Sequence, residues 1–136
     1  MTLTTLRRKI MRNRRGQALV ELALVIPVLL ALVLGIVEFG RLFSAYMTIQ
    51  HAAREGARLG VLGATDAEIL SRVYANSPTL DLAQLSVTVS PGFTLRTPGS
   101  ILTVSVAYSF QVMVPIIDTL LGSTVPVAAV VSMRVE

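Results

Sequence analysis

Residues 16–41 read Gly-Gln-Ala-Leu-Val-Glu-Leu-Ala-Leu-Val-Ile-Pro-Val-Leu-Leu-Ala-Leu-Val-Leu-Gly-Ile-Val-Glu-Phe-Gly-Arg, and this stretch decides what the rest of the chain can be. From Leu22 to Val37 there is no charge, and Gln17 to Val20 extend the apolar run backwards past a single acid, Glu21. At about 1.5 Å of rise per residue the uncharged run covers roughly 24 Å and residues 17–37 roughly 32 Å, close to the hydrocarbon thickness of a bilayer. The run is long enough to span. The competing reading is a core helix of a soluble protein, but a chain of 136 residues has too little other structure to surround a helix that is apolar on every face. Composition agrees: 53% of the residues are hydrophobic and only 15% charged, against about 25% charged in a soluble domain.

Working outward towards the N-terminus, Arg7, Arg8, Lys9, Arg12, Arg14 and Arg15 precede the run with no acid among them. They account for six of the twelve basic residues; the other six face all eight acids, so the chain beyond Gly16 carries a net −2. The basicity therefore belongs to the leader and is not a nucleic-acid footprint. Cations beside a membrane helix are retained in the cytoplasm, so Arg12, Arg14 and Arg15 orient the chain with its N-terminus inside and its C-terminal hundred or so residues outside. A removable signal peptide shares the basic-then-apolar design but needs small residues at a cleavage site after the apolar run. Gly35-Ile-Val-Glu-Phe-Gly-Arg41 offers a poor one, and the helix is expected to stay attached.

Two residues interrupt the run. Pro27 has no N–H, so the carbonyl of Ala23 loses its helical partner and a kink or loosening is expected between them. Glu21 stands about one turn inside the membrane edge, where an unpaired carboxylate costs a few kcal/mol on insertion scales. It is either hydrated at the interface or paired with a cation of another chain.

Beyond the exit, Phe39, Leu42, Phe43, Tyr46, Ile49, Ala53, Ala57 and Gly60 recur every three or four residues, so the helix should continue to about Leu59. Ala45, Ala52, Ala53, Gly56 and Ala57 would let another backbone or a sheet approach closely, although alanines are also simply good helix formers. Gly60-Val-Leu-Gly63 should break the helix, and Thr65-Asp66-Ala67-Glu68 reads as a capping box opening a short helix to about Ala75, ended by Asn76-Ser77-Pro78. Three strands are expected at Leu85 to Ser90, Ser100 to Gln111 and Val125 to Val135, with turn signals at Pro91-Gly92 and Thr97-Pro98-Gly99-Ser100. The apolar connection Pro115 to Gly122 reads as a helical turn; Val112 to Leu121, with no charge but Asp118, is the best candidate for an exposed contact surface, the alternatives being that it folds back onto the sheet or dips towards the membrane surface, with folding back favoured of these two. The fold class is α+β: a long N-terminal transmembrane and amphipathic helix, a short helix, and a three-stranded antiparallel sheet packed on the outer half of the long helix. The organisation expected is a basic leader at 1–16, a transmembrane helix at 17–38, its extracytoplasmic continuation at 39–60, and a small α+β domain at 61–136.

Sites of chemistry are not legible. His51 is the one histidine, with Arg54 and Glu55 beside it and no second ligand at metal spacing, so it reads as a surface residue. Gly56 to Gly63 follows a helix and not a strand, the wrong context for a phosphate loop. The serines lack a neighbouring base, and cysteine is absent. No catalytic residue, metal site or cofactor is expected.

Arg14-Arg15-Gly16-Gln17-Ala18-Leu19-Val20-Glu21 followed by the apolar run resembles the processing site of type IV prepilins, where a dedicated peptidase cuts after a glycine and a glutamate is fifth in the mature chain. With Glu38-Phe39-Gly40-Arg41 and Ala52-Ala53-Arg54-Glu55-Gly56-Ala57-Arg58, the first sixty or so residues are similar to the TadE-like proteins, minor pseudopilins of tight-adherence (Flp, type IVc) pilus systems. Leu22 stands where Flp-type pilins carry an aromatic residue after the glutamate. The resemblance implies a prepilin peptidase acting at Gly16 and Gln17, and an assembly role for Glu21 through charge pairing. It also implies other pilins, pseudopilins and inner-membrane platform proteins as partners. A single-pass location in the cytoplasmic membrane, with no enzymatic activity and no nucleic-acid partner, goes with it. The alternative is a single-span anchor carrying an extracytoplasmic binding module unrelated to pili. A membrane-enzyme subunit that borrows its catalytic groups from partners ranks last.

Overall fold

The computed structural model describes the backbone of residues 3–136 and the side chains of residues 16–136 other than 116 and 120. Met1 and Thr2 of the expected leader lie outside the described residues, as do the side chains of its arginines. The elements are α1 (Leu3–Val61), α2 (Asp66–Ala75), β1 (Leu85–Ser90), β2 (Ile101–Gln111), α3 (Pro115–Leu121) and β3 (Thr124–Arg134), with single 3-10 turns at Leu82–Gln84 and Phe93–Leu95. The chain divides into two compact units, Met1–Val37 and Glu38–Glu136.

In the first unit the residues from Leu19 to Val37 stand exposed, apart from the half-buried Ala31 and Gly35. The most apolar window of α1 reaches a mean hydropathy of 2.8 with none of it buried, and among the described residues it is the one helix with the length and composition of a membrane span or a signal segment. α1 runs through Pro27 without interruption. A proline removes one donor, and the flanking turns of a long helix hold the segment together around it.

The second unit is a sheet on a helix. β1, β2 and β3 form one antiparallel sheet in sequence order, with Val87 opposite Val106 and Val104 opposite Val131. Alternation sorts the faces: Leu102, Val104 and Val106 of β2 and Ala129 of β3 turn inward, where Ile49, Ala52, Ala53 and Ala57 of α1 and Ile69 and Val73 of α2 complete the core. The opposite face is hydroxyl-rich, with Ser86, Thr88 and Ser90 exposed and Thr103 Oγ1 bonded to Ser132 Oγ across the strands at 2.9 Å. Each fully buried aliphatic side chain contributes about 1.5–3 kcal/mol, so this inner face is the main source of the unit's stability.

The close approach depends on small residues of α1. A Cβ built on Gly56 would lie 2.7 Å from Val73 Cγ2, and one on Gly60 would lie 2.4 Å from Leu102 Cδ2 and 2.7 Å from Ile69 Cδ1. The helix ends within Gly60-Val-Leu-Gly63 as expected, with Gly60 still inside it as a packing site. The stop comes at Gly63, which adopts φ +93° while Ala64 N–H bonds to Leu59 O and Gly63 N–H to Gly60 O, the double bond of a Schellman cap.

The capping box is formed as expected. Thr65 N–H donates to Glu68 Oε2 at 2.8 Å, and the Thr65 hydroxyl accepts from Glu68 N–H. The two 3-10 turns were not anticipated; at the first, Asp81 accepts from Ala83 N–H at 3.0 Å, a local capping signal too short to stand out. At the β1–β2 loop, Ser100 N–H closes on Thr97 O with Pro98 and a positive-φ Gly99 between them, the residue order a type II turn requires.

Candidate functional site: the apolar helix and its exit

Gly16, Gln17 and Glu21 all lie on α1 with exposed side chains. The i to i+4 spacing puts Gln17 and Glu21 on one face, where the Gln17 amide donates to Glu21 Oε1 at 3.4 Å. Among the described residues no cation pairs with Glu21. Arg12, Arg14 and Arg15 belong to the backbone of α1, and their side chains lie outside the described residues. Among the described residues the Glu21 carboxylate is held by a neutral amide alone, and such a carboxylate is a strong acceptor for an incoming cationic donor.

The other end of the apolar run holds a contact that periodicity does not reveal. Glu38 is 5% exposed, and its carboxylate is fully used: Oε2 accepts from Arg41 Nη1 at 2.8 Å and Oε1 from the backbone N–H of Met113 at 3.0 Å. Arg41 in turn lies over the Phe110 ring, 5.1 Å from its centroid. Glu-Phe-Gly-Arg is thus a structural latch fastening the exit of α1 to the end of β2. The backbone partner of Glu38 is 75 residues away, and nothing local announces it.

A second latch closes the opposite end of the sheet. Arg96, its side chain 4% exposed, pairs with Asp66 and donates from Nη1 to Ala64 O at 2.6 Å and from Nε to Pro91 O at 3.1 Å. Asp66 Oδ2 accepts from Phe93 N–H at 3.2 Å. The β1–β2 loop is thereby tied to the start of α2. His51 is exposed on α1. Among the described residues no cluster of three or more His, Asp or Glu has metal-holding geometry.

The fold and its leading segment define a class: an α+β chain headed by one long apolar helix of the kind that spans a membrane or serves as a signal. Residues 16–58 match the model of the TadE-like protein family. The match begins at Gly16 and takes in Glu21, the Glu38-to-Arg41 latch and the motif ending at Arg58. No curated protein and no solved structure matches the chain.

Proposed function

We propose that the chain is a pseudopilin-type, non-enzymatic component of a tight-adherence pilus assembly or secretion machine. Residues 17–38 anchor it in the cytoplasmic membrane, and Glu38–Glu136 project outside. The observation that carries this reading is Glu21: an exposed carboxylate on an apolar helix, five residues after Gly16, with the Gln17 amide as its one partner among the described residues. A plain anchor has no use for it, since an acid at membrane depth costs a few kcal/mol unless it is paired.

In this mechanism a prepilin peptidase hydrolyses the Gly16–Gln17 peptide bond and frees the α-amine of Gln17. Its unperturbed pKa of about 7.7–8.0 leaves it mostly cationic at neutral pH. The amine and Glu21 of the same or a neighbouring subunit then neutralise each other in lipid, where each ion alone is costly and the pair much less so. The TadE-like match supports the class of machine, and other pilins, pseudopilins and platform proteins are the partners proposed. The test is crosslinking and co-purification from native membranes. Glu21→Ala and Glu21→Gln should insert and fold normally yet recover less of the other pilus subunits, and Gly16→Asp serves as the unprocessed control. Wild-type recovery by Glu21→Ala would leave the carboxylate a hydrated interfacial residue and end this reading.

A further inference from the structure

The second unit has a distinct end. Leu102 approaches Gly60 and Phe110 approaches Arg41, so β2 runs back along α1: nineteen helical residues cover about 28 Å and eight strand residues about 26 Å. The β2–β3 connection therefore lies at the end of the unit where Glu38 directly follows the apolar run. The Glu38 bond to Met113 N–H at 3.0 Å pins it there. Glu38 is covalently next to Val37, the last residue of the uncharged run. Hence the backbone of Met113 is bonded to the first residue after the uncharged run.

The side chains at this end are of the wrong kind for water. Met113 is 73% exposed and Leu121 66%, at either side of α3. Phe39 and Phe43 are exposed on α1, and with Tyr46, Val125 and Pro126 they line an apolar hollow of about 280 Å³. Between Val112 and Leu121 the only charged residue is Asp118, while Glu38 is consumed by its own latch. Apolar and aromatic groups beside the end of a span sit favourably at headgroup level.

We propose that α3 and its flanks form a second, interfacial membrane contact, with Met113 and Leu121 entering the headgroup and upper acyl region of the leaflet from which α1 emerges. This rests on the reading of residues 17–38 as a span. The occupant is the lipid surface, because the patch continues from the end of the apolar run and is pinned there by Glu38. Its effect is to hold the sheet at a fixed height and orientation over the bilayer.

The chain has no cysteine, so single-cysteine reporters are clean. The full chain would be reconstituted into phosphatidylcholine–phosphatidylglycerol vesicles with a polarity-sensitive dye at Met113→Cys or Leu121→Cys. Reference sites are Leu62→Cys and Leu95→Cys, similarly exposed at 68% and 72% but at the other end of the unit, and Leu30→Cys within the apolar run. In the vesicles the dyes at 113 and 121 should be blue-shifted and be quenched by a shallow-quencher lipid, those at 62 and 95 should show neither effect, and a deep-quencher lipid should quench at 30. If 113 and 121 behave like 62 and 95 while 30 is quenched, the interfacial contact is overturned and the span stands. If 30 is not quenched, the span itself is wrong and the proposal falls with it. Disulfide dimers through Met113→Cys in place of lipid quenching would assign the surface to a second copy and equally overturn it.

Discussion

Glu38 and Arg96 each satisfy backbone groups far away in sequence while burying a charge, and removal of either should cost more than an exposed ion pair does. Glu38→Ala orphans the Met113 N–H and frees Arg41, at about 1–3 kcal/mol for an unsatisfied buried group. Glu38→Gln keeps an acceptor for Met113 and should lose less. Thermal melting of the detergent-solubilised chain gives that order, and equal losses would show that charge pairing with Arg41 outweighs the Met113 bond. Arg96→Lys retains the charge but not the planar fork that reaches Ala64, Pro91 and Asp66 together. A loss of about 1–3 kcal/mol is expected for it as well, accompanied by faster amide exchange in residues 91–97.

At the scale of elements, the packing of α1 predicts opposite signs for one substitution. Gly40 has open space where a Cβ would go, so Gly40→Ala should stabilise the helix by up to about 1 kcal/mol. Gly60→Ala brings the same helical gain but drives a methyl into Leu102 and Ile69, both fully buried. Overpacking costs of about 1–3 kcal/mol outweigh that gain, and a lowered melting temperature is the expected result. The capping box of α2 carries a pH signature. The Thr65 backbone N–H, and after it the Thr65 hydroxyl, hold the Glu68 carboxyl below its ordinary 4.5. A folded-state value below the unfolded one means that the contribution is complete above about 4.5 and is lost as pH falls through the depressed value. Wild type should therefore lose stability over that acid range more steeply than Glu68→Gln, whose amide can still cap. Parallel pH profiles for the two proteins would refute a role for the carboxylate.

For the whole molecule the predictions concern processing and topology. Intact-mass measurement of protein from native membranes should show residues 1–16 removed where the cognate peptidase is active, and Gly16→Asp should block the cut. A reporter active only outside the cytoplasm, fused after Glu136, should work; activity of a cytoplasm-only reporter at that position would reverse the proposed orientation.

What the sequence determined by itself is local and periodic. An uncharged run of membrane length, Thr65 three residues before Glu68, alternating valines in β1 and β2, and Pro98-Gly99 at a turn each act within a few residues, so their consequences can be read without a partner. The strands appear within a residue of their expected bounds for that reason. The neighbours of Gly60 were not legible, because Ile69 and Leu102 arrive from distant elements. The same holds for Glu38 and Arg96. A glutamate after an apolar run looks like an interfacial charge, and an arginine in a loop looks solvated. Only the folded chain brings Met113 to the one and Ala64 and Pro91 to the other. Tertiary structure decided these roles because burying a charge is tolerable only where every polar atom around it finds a partner, and such partners are assembled by topology rather than by spacing.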